Sequence, residues 1–399
     1  MNLRWTPGSL IGLLLLLLWP VAARAAQEPQ VRVLLAQAAA LRVVPVAGSR
    51  LTLRDGQGRV LGSHDEGLTL RAAQNRIAGV AGDRQRLWLL PEQSGGGSFW
   101  LQQRRYRGAL LVQLKDGRLQ AINRLGVESY LPSVVGAEMP HQWPAEALRV
   151  QSVAARTYAL RQLRPQADYD LDSTQRSQVY LGLESETPST RDAVASTRAQ
   201  VLTHGQRLIE AVFHSSSGGQ TENSGEIWRH QLPYLKSVPD FDQISPVYRW
   251  SKPLAAEQLA EAFSETGGVE QIEVLTRTST GRLKRVLVRG PQGEIELPAR
   301  ELRRRLQLKS TFVRFDPPDL DSDPLALLED WLNPSSEPQP QLIAKGRGFG
   351  HGVGMSQWGA YGLSLQGKGY AAILRHYYPG AKLGFYQAPS SWPKPPPQP

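Results

Sequence analysis

Three stretches of this chain carry side chains that could do chemistry, and the first centres on a single carboxylic acid. In residues 127–160, VESYLPSVVGAEMPHQWPAEALRVQSVAARTYAL, the pattern VESYLPSVVGAEM predicts a helix stopped by Met139 and Pro140, which leaves Glu138 at its C-terminal end. Unpaired carbonyls at such an end carry partial negative charge, and the apolar Met139 and Trp143 remove water, so both effects favour the protonated acid near neutral pH. A carboxylic acid held neutral can protonate a glycosidic oxygen. The same residues also read as a surface glutamate at a frayed helix end. Glu128 and Glu146 are the competing acids. Glu146 falls in the first turn of the next predicted helix, where the helix dipole stabilises its charge, which is a structural role.

The second stretch is AVFHSSSGGQTENSGEIW, residues 211–228. An apolar strand is expected to end in a hydroxyl-rich Gly-Gly turn, placing Ser215, Ser216, Ser217, Gln220 and Thr221 as a sugar-binding lip or, equally, as an ordinary polar turn. His204, His214, His230 and Glu222 raise the question of a metal. Their spacing matches no His-x-x-x-His pattern and cysteine is absent, so no cofactor is expected and zinc is disfavoured, with His214 the one weak candidate ligand.

The third is KGRGFGHGVGMSQWGAYG, residues 345–362, with glycine at 346, 348, 350, 352 and 354. Alternating glycine implies backbone packed closely against something. The spacing misses the dinucleotide fingerprint, and the near phosphate-loop pattern at residues 362–369 fails at its last position, Gly369. His351 and Ser356 lack the setting of a serine nucleophile. His351, Gln357 and Trp358 are expected to line a substrate groove.

Other elements must position these groups. Residues 1–25 read as a secretory signal: a positive charge at Arg4, an apolar run over residues 10–19 and a small-x-small site at Ala23, Arg24 and Ala25. The run is about half of what a membrane span needs, so export to the periplasm or the envelope exterior is expected, with no stable membrane anchor. With no cysteine, stability must come from an ordinary core. Formal charge is +10, about +8 once the two arginines of the leader are removed, which suits a polyanionic partner; export makes wall polymers better candidates than nucleic acid. Residues 26–123 alternate in short extended runs, and Asp116-Gly117 between two of them signals a two-residue hairpin. A flexible loop is expected at residues 94–98. Residues 124–386 mix helices and strands, including a basic helix over residues 300–308 and a Pro/Ser/Glu linker over 333–340, and residues 387–399 form a Pro-rich tail expected to be disordered. The fold class is α+β, mainly strands with a helical subdomain, behind a small β-rich domain.

Three ordered blocks, EMPHQWPAEALRVQSVAARTYAL, FHSSSGGQTENSGEIWRHQLPYLKSV and GRGFGHGVGMSQWGAYG followed by ILRHYYPGA, resemble the SpoIID/LytB family, and the residues before them resemble its amidase-enhancer segment. The resemblance implies a lytic transglycosylase of peptidoglycan, which cleaves the N-acetylmuramic acid to N-acetylglucosamine β-1,4 bond without water and leaves a 1,6-anhydro end. The family's catalytic acid lands on Glu138. Such chemistry needs one carboxylate, because the muramic hydroxyl closes onto the anomeric carbon, whereas hydrolases use two. Ser217, Gln220, Thr221, His351, Gln357, Trp358 and Arg156 are then expected on the glycan. Some family members bind zinc through cysteine and histidine near the block at Phe213; here His214 stands among serines. The competing readings are a non-catalytic wall-binding enhancer of an N-acetylmuramoyl-L-alanine amidase, and a hydrolase using water.

Overall fold

The computed structural model describes residues 28–82, 84–92, 97–317 and 340–386. The signal segment, residues 94–96 of the expected loop, residues 333–339 of the linker and the Pro-rich tail lie outside them.

The alternating runs of the N-terminal third form two sheets. A seven-stranded sheet runs in the order Leu171–Asp172, Gln30–Ala38, Arg118–Gly126, Ala109–Lys115, Arg86–Pro91, Leu51–Asp55, Val60–His64, and a five-stranded one in the order Arg76–Ala78, Leu68–Ala73, Ala40–Pro45, Ser98–Leu101, Arg104–Arg107. The hairpin joining Ala109–Lys115 to Arg118–Gly126 turns on Asp116 and Gly117, with φ of +49° and +72°. Two left-handed residues match the strands' own twist, as the Asp-Gly pair predicts.

Strand Arg118–Gly126 leads directly into helix α1 (Val127–Glu138), followed by α2 (Ala145–Arg161) and α3 (Pro188–Ser196). Helix α2 is buried on nearly every face, and its alanines, serine and threonine let neighbours approach closely. Val31, Val33, Leu110 and Val112 of the sheets, Tyr130 and Val134 of α1, Val150 and Val153 of α2, and Ile373 and Tyr377 near the C-terminus share one hydrophobic core. The division expected after Asn123 therefore falls inside a strand. The β-rich segment and the helices form one packed body.

A second core, absent from the expected layout, gathers Leu254, Leu259, Phe263, Val286, Val288, Leu302, Val313 and Ala344. Two three-stranded sheets build it, Arg249–Ala255 with Pro340–Arg347 and Val313–Asp316, and Gln271–Arg277 with Leu283–Gly290 and Gly293–Pro298, together with helices α4 (Ala256–Ala262) and α5 (Ala299–Arg305). The chain then returns to the first body through the glycine-rich block, α6 (Gln357–Leu365) and α7 (Tyr370–Tyr377). The architecture is α+β with strands predominating. The long strand expected before His214 is instead two short pieces, Arg207–Leu208 and Phe213–His214; the second pairs in parallel with Met355–Ser356, from the glycine-rich block.

Candidate active site

Glu138 is the last residue of α1. Met139 is already extended, at φ −133° and ψ 144°, with its N–H donating to the Val135 carbonyl at 2.9 Å. A side chain at Gly136 would bring its Cβ within 1.8 Å of the Ser185 carbonyl oxygen, so glycine there lets the helix end seat against the turn Gly182–Ser185. The half-buried Glu138 takes two hydrogen bonds, from the Val179 N–H to Oε1 at 3.0 Å and from Gln357 Nε2 to Oε2 at 3.3 Å. Burial raises its pKa above the ordinary carboxylate value, while those two donors hold it back and no neighbouring carboxylate contributes.

Val179 is held by its neighbour. The buried Gln178 accepts from the Tyr130 hydroxyl at 3.3 Å and donates to the Ala155 carbonyl at 3.3 Å, linking α1 and α2 just where the peptide must present its N–H to Glu138. Gln357 opens α6, whose first turn is capped by Ser356 Oγ accepting from the Gly359 N–H at 3.1 Å. Next to it, the Trp358 N–H donates to the Ser215 carbonyl at 3.0 Å. The Trp358 ring meets Trp143 edge-on at 4.8 Å, and Trp143 stacks on Tyr361 at 4.6 Å. The first and third sequence blocks thus meet at Glu138, and the second lies alongside the third.

Not all expected glycan contacts lie on the surface. Arg156 is fully buried in α2: Nε and NH2 bind the two oxygens of Glu128 at 2.9 and 2.7 Å, and the remaining donors reach the carbonyls of Gln200 and Val194, both at 3.2 Å. It fastens α1 to α2 and is unavailable to a ligand. Ser217 is also fully buried, with its hydroxyl donating to Asp240, and the buried Thr221 Oγ1 accepts from the Val238 N–H at 2.8 Å. Neither can form the expected sugar-binding lip. Gln220 is exposed, and its amide donates to Ser237 Oγ at 2.9 Å. Gln357 and Trp358 sit beside Glu138, and His351 is half-buried further along the same block.

Sequence reasoning missed Gln178, Val179 and two buried acids. Asp242 accepts from Ser216 Oγ at 2.5 Å and from the N–H groups of Gly218 and Gly219 at 2.7 and 2.9 Å, and Asp240 accepts from the Tyr377 hydroxyl at 2.6 Å. Burial, then the nearby Asp242 charge, raises the pKa of Asp240. The available signal was an Asp-x-Asp pair in an apolar stretch, close enough to satisfy the serine cluster.

The donor set around His214 does not fit zinc. His214 Nδ1 faces the Val353 carbonyl at 3.1 Å, so it carries the proton, and Nε2 is buried without a partner. His351, whose ring lies 5.3 Å away, accepts the Val353 N–H on Nδ1 at 3.0 Å. Burial lowers both imidazoles, His351 to about 4 and His214 well below its usual value, so both are neutral at physiological pH. Glu222 is occupied by the hydroxyls of Thr278, at 2.6 Å, and Thr280. The buried Arg282, carried in from the second core, sets Nε 3.9 Å from Glu222 and donates through NH2 to the Ser217 carbonyl at 2.6 Å. A metal here would meet one open nitrogen and no thiolate, beside a fixed positive charge. Among the described residues, no three or more His, Asp or Glu side chains are grouped to hold a metal ion, and no helix is long and apolar enough to cross a membrane.

A family model described as stage II sporulation protein matches residues 115–204, and a domain of unknown function matches residues 230–354. The first match spans α1 and α2 with Glu138; the second contains the whole of the second core. An uncharacterised protein of Brachyspira hyodysenteriae is 29% identical over 290 residues, which cover 70% of this chain and 73% of that protein. Stage II sporulation protein D of Bacillus subtilis is 30% identical over 284 residues, covering 66% of this chain and 76% of that protein. The amidase enhancer of Bacillus subtilis is 30% identical over 291 residues, 64% of this chain but 40% of the enhancer. The similarity to stage II sporulation protein D covers about two thirds of this chain and three quarters of that relative, so this chain belongs to the stage II sporulation protein D family.

Proposed function

We propose that this chain is an exported lytic transglycosylase of peptidoglycan, with Glu138 as its single acid and base. Its family and its amidase-enhancer relative support a cell-wall-related role. The observation that carries the finer reading is the setting of Glu138: a carboxyl group raised by burial, held only by neutral donors, with no second carboxylate contributing to the rise.

In the first half of the reaction the protonated Glu138 gives its proton to the oxygen joining muramic C1 to C4 of the next sugar. The C1–O bond breaks and its electron pair stays on that oxygen. In the second half the muramic C6 hydroxyl bonds to C1, and the Glu138 carboxylate takes the hydroxyl proton. The 1,6-anhydro ring closes, the acid is restored and no water is consumed. The Val179 N–H and the Gln357 amide stabilise the carboxylate while it lacks its proton, which keeps the intermediate charge affordable in a half-buried site. The end group is the test. Mass analysis of digested glycan is expected to find ends one water lighter than reducing ends; reducing ends alone would make the chain a hydrolase.

The amidase-enhancer relative favours a second reading, in which the chain binds wall glycan and stimulates an amidase. Stimulation of an amidase that survives Glu138→Gln, with no glycan products from the wild type, would decide for it.

A further inference from the structure

Where the glycine-rich block crosses the second core, a strip of positive charge lies beside exposed aromatic rings. Lys309 is exposed and holds Nζ 5.6 Å over the ring of Phe349, itself 40% exposed. The Arg347 guanidinium lies 4.0 Å over Phe312, with Arg282 at 5.1 Å from the same ring. Trp228 is 38% exposed, and its ring lies 5.5 Å from His351. Backbone contacts join these pieces: the Gly350 N–H donates to the Lys309 carbonyl at 3.0 Å, and Ser310 Oγ to the Arg347 carbonyl at 2.6 Å.

The charge here is unbalanced. Arg303 Nε and Lys252 Nζ turn to the backbone carbonyls of Leu308 and Leu306 at 3.2 and 2.9 Å, and neither they nor Lys309 and Arg347 form an ion pair among the described residues. Elsewhere in the same subdomain arginines are matched by acids, as in Arg285 with Glu296, Arg289 with Glu294 and Arg305 with Glu265. Burial lowers Arg282 to about 10, with Arg347 and Arg303 pushing the same way against Glu222 and Asp242. Burial, then Lys309, likewise lowers Lys252. Unpaired like charges gathered on one surface destabilise the free protein and favour an anion there.

An exposed ring beside a cation suits a sugar that carries a carboxylate: the ring covers the apolar face of the pyranose and the cation takes the acid group. The strip is also linked to the candidate active site through one loop, since residues 347–357 carry Arg347, Phe349, His351 and Gln357. We propose that Trp228, Phe349, Lys309 and Arg347 form a second glycan subsite, which holds carboxylate-bearing units of the peptidoglycan chain away from the bond being cut. The proposal rests on the transglycosylase reading for its substrate, and its test does not depend on cleavage.

The full chain carrying Glu138→Gln is titrated calorimetrically with soluble glycan fragments, peptide-bearing and peptide-stripped, each before and after its carboxylates are converted to amides. Replacing Lys309 and Arg347 together by Gln is expected to weaken binding about tenfold, as loss of one or two charge-assisted contacts would. Lys309→Glu alone, at an exposed position, is expected to weaken it as well, and Trp228→Ala to a lesser degree. Amidated glycan should bind the parent as weakly as native glycan binds the double variant, and whichever glycan loses affinity on amidation identifies the carboxylate as muramic or peptide-borne. Unchanged affinity in both charge variants would overturn the subsite, as would indifference to amidation or tighter binding of a phosphodiester polymer than of glycan. Carboxylate-dependent binding without anhydro ends from the wild type would keep the subsite and remove the reaction; anhydro ends with carboxylate-independent binding would do the reverse.

Discussion

At the first turn of α1, Glu128 receives both arms of the Arg156 guanidinium at 2.9 and 2.7 Å and the Ala199 N–H at 3.1 Å, whereas at the far end of the same helix Glu138 receives one peptide N–H and one amide. Both acids come from one short segment, and their partners separate their tasks. A carboxylate saturated by a buried cation is a fastener. One held by neutral donors, at the helix end where carbonyls are unpaired, can exchange a proton.

The largest effect should come from breaking the fastener. Arg156→Met leaves Glu128 without its cation in a buried setting and is expected to cost about 3–5 kcal/mol in a urea melt. Adding Glu128→Gln should recover part of that loss, and no recovery would mean that Arg156 acts through packing alone. Next is Gly136→Ala, whose Cβ would meet the Ser185 oxygen at 1.8 Å. A destabilisation of about 1–3 kcal/mol is expected, with turnover falling further than stability because Glu138 moves with the helix end. A variant with unchanged turnover would show that this contact does not position the acid.

Two smaller effects concern the proton. Gln357→Leu removes a donor that favours the charged form of Glu138, so the alkaline limb of the pH–rate profile should move upward by less than about one unit. A downward shift would contradict the assigned role. Because burial raises the folded-state pKa of Glu138, stability from this group is present at acidic pH and lost as pH rises from the ordinary carboxylate range through the elevated value. Glu138→Gln should therefore raise Tm slightly at neutral pH, by about one to a few degrees, and lose that advantage in acid. A lower Tm at neutral pH would mean that the carboxylate is stabilising.

Short-range chemistry was legible in the sequence. Met139-Pro140 ended α1 at Glu138, Asp116-Gly117 made the hairpin turn, and the alternating glycines foretold close packing, for a Cβ at Gly350 or Gly352 would come within 2.7 Å of His214 or 2.6 Å of Arg282. Long-range partners were not. A serine-rich turn has the same local pattern whether its hydroxyls face sugar or face acids, and Ser216 and Ser217 face Asp242 and Asp240. Arg156 likewise gave no local sign of Glu128 one helix away. The second core was hidden because an edge strand, Arg249–Ala255, and the central strand of its sheet, Pro340–Arg347, pair across a long stretch of intervening sequence.

The most direct test is a digestion of purified peptidoglycan glycan by the wild type beside Glu138→Gln, with products read by mass. The account predicts 1,6-anhydro ends from the wild type, and from a folded Gln variant a rate lower by about a thousandfold or more, since the one acid and base is gone. Equal release of anhydro ends by both proteins would contradict it.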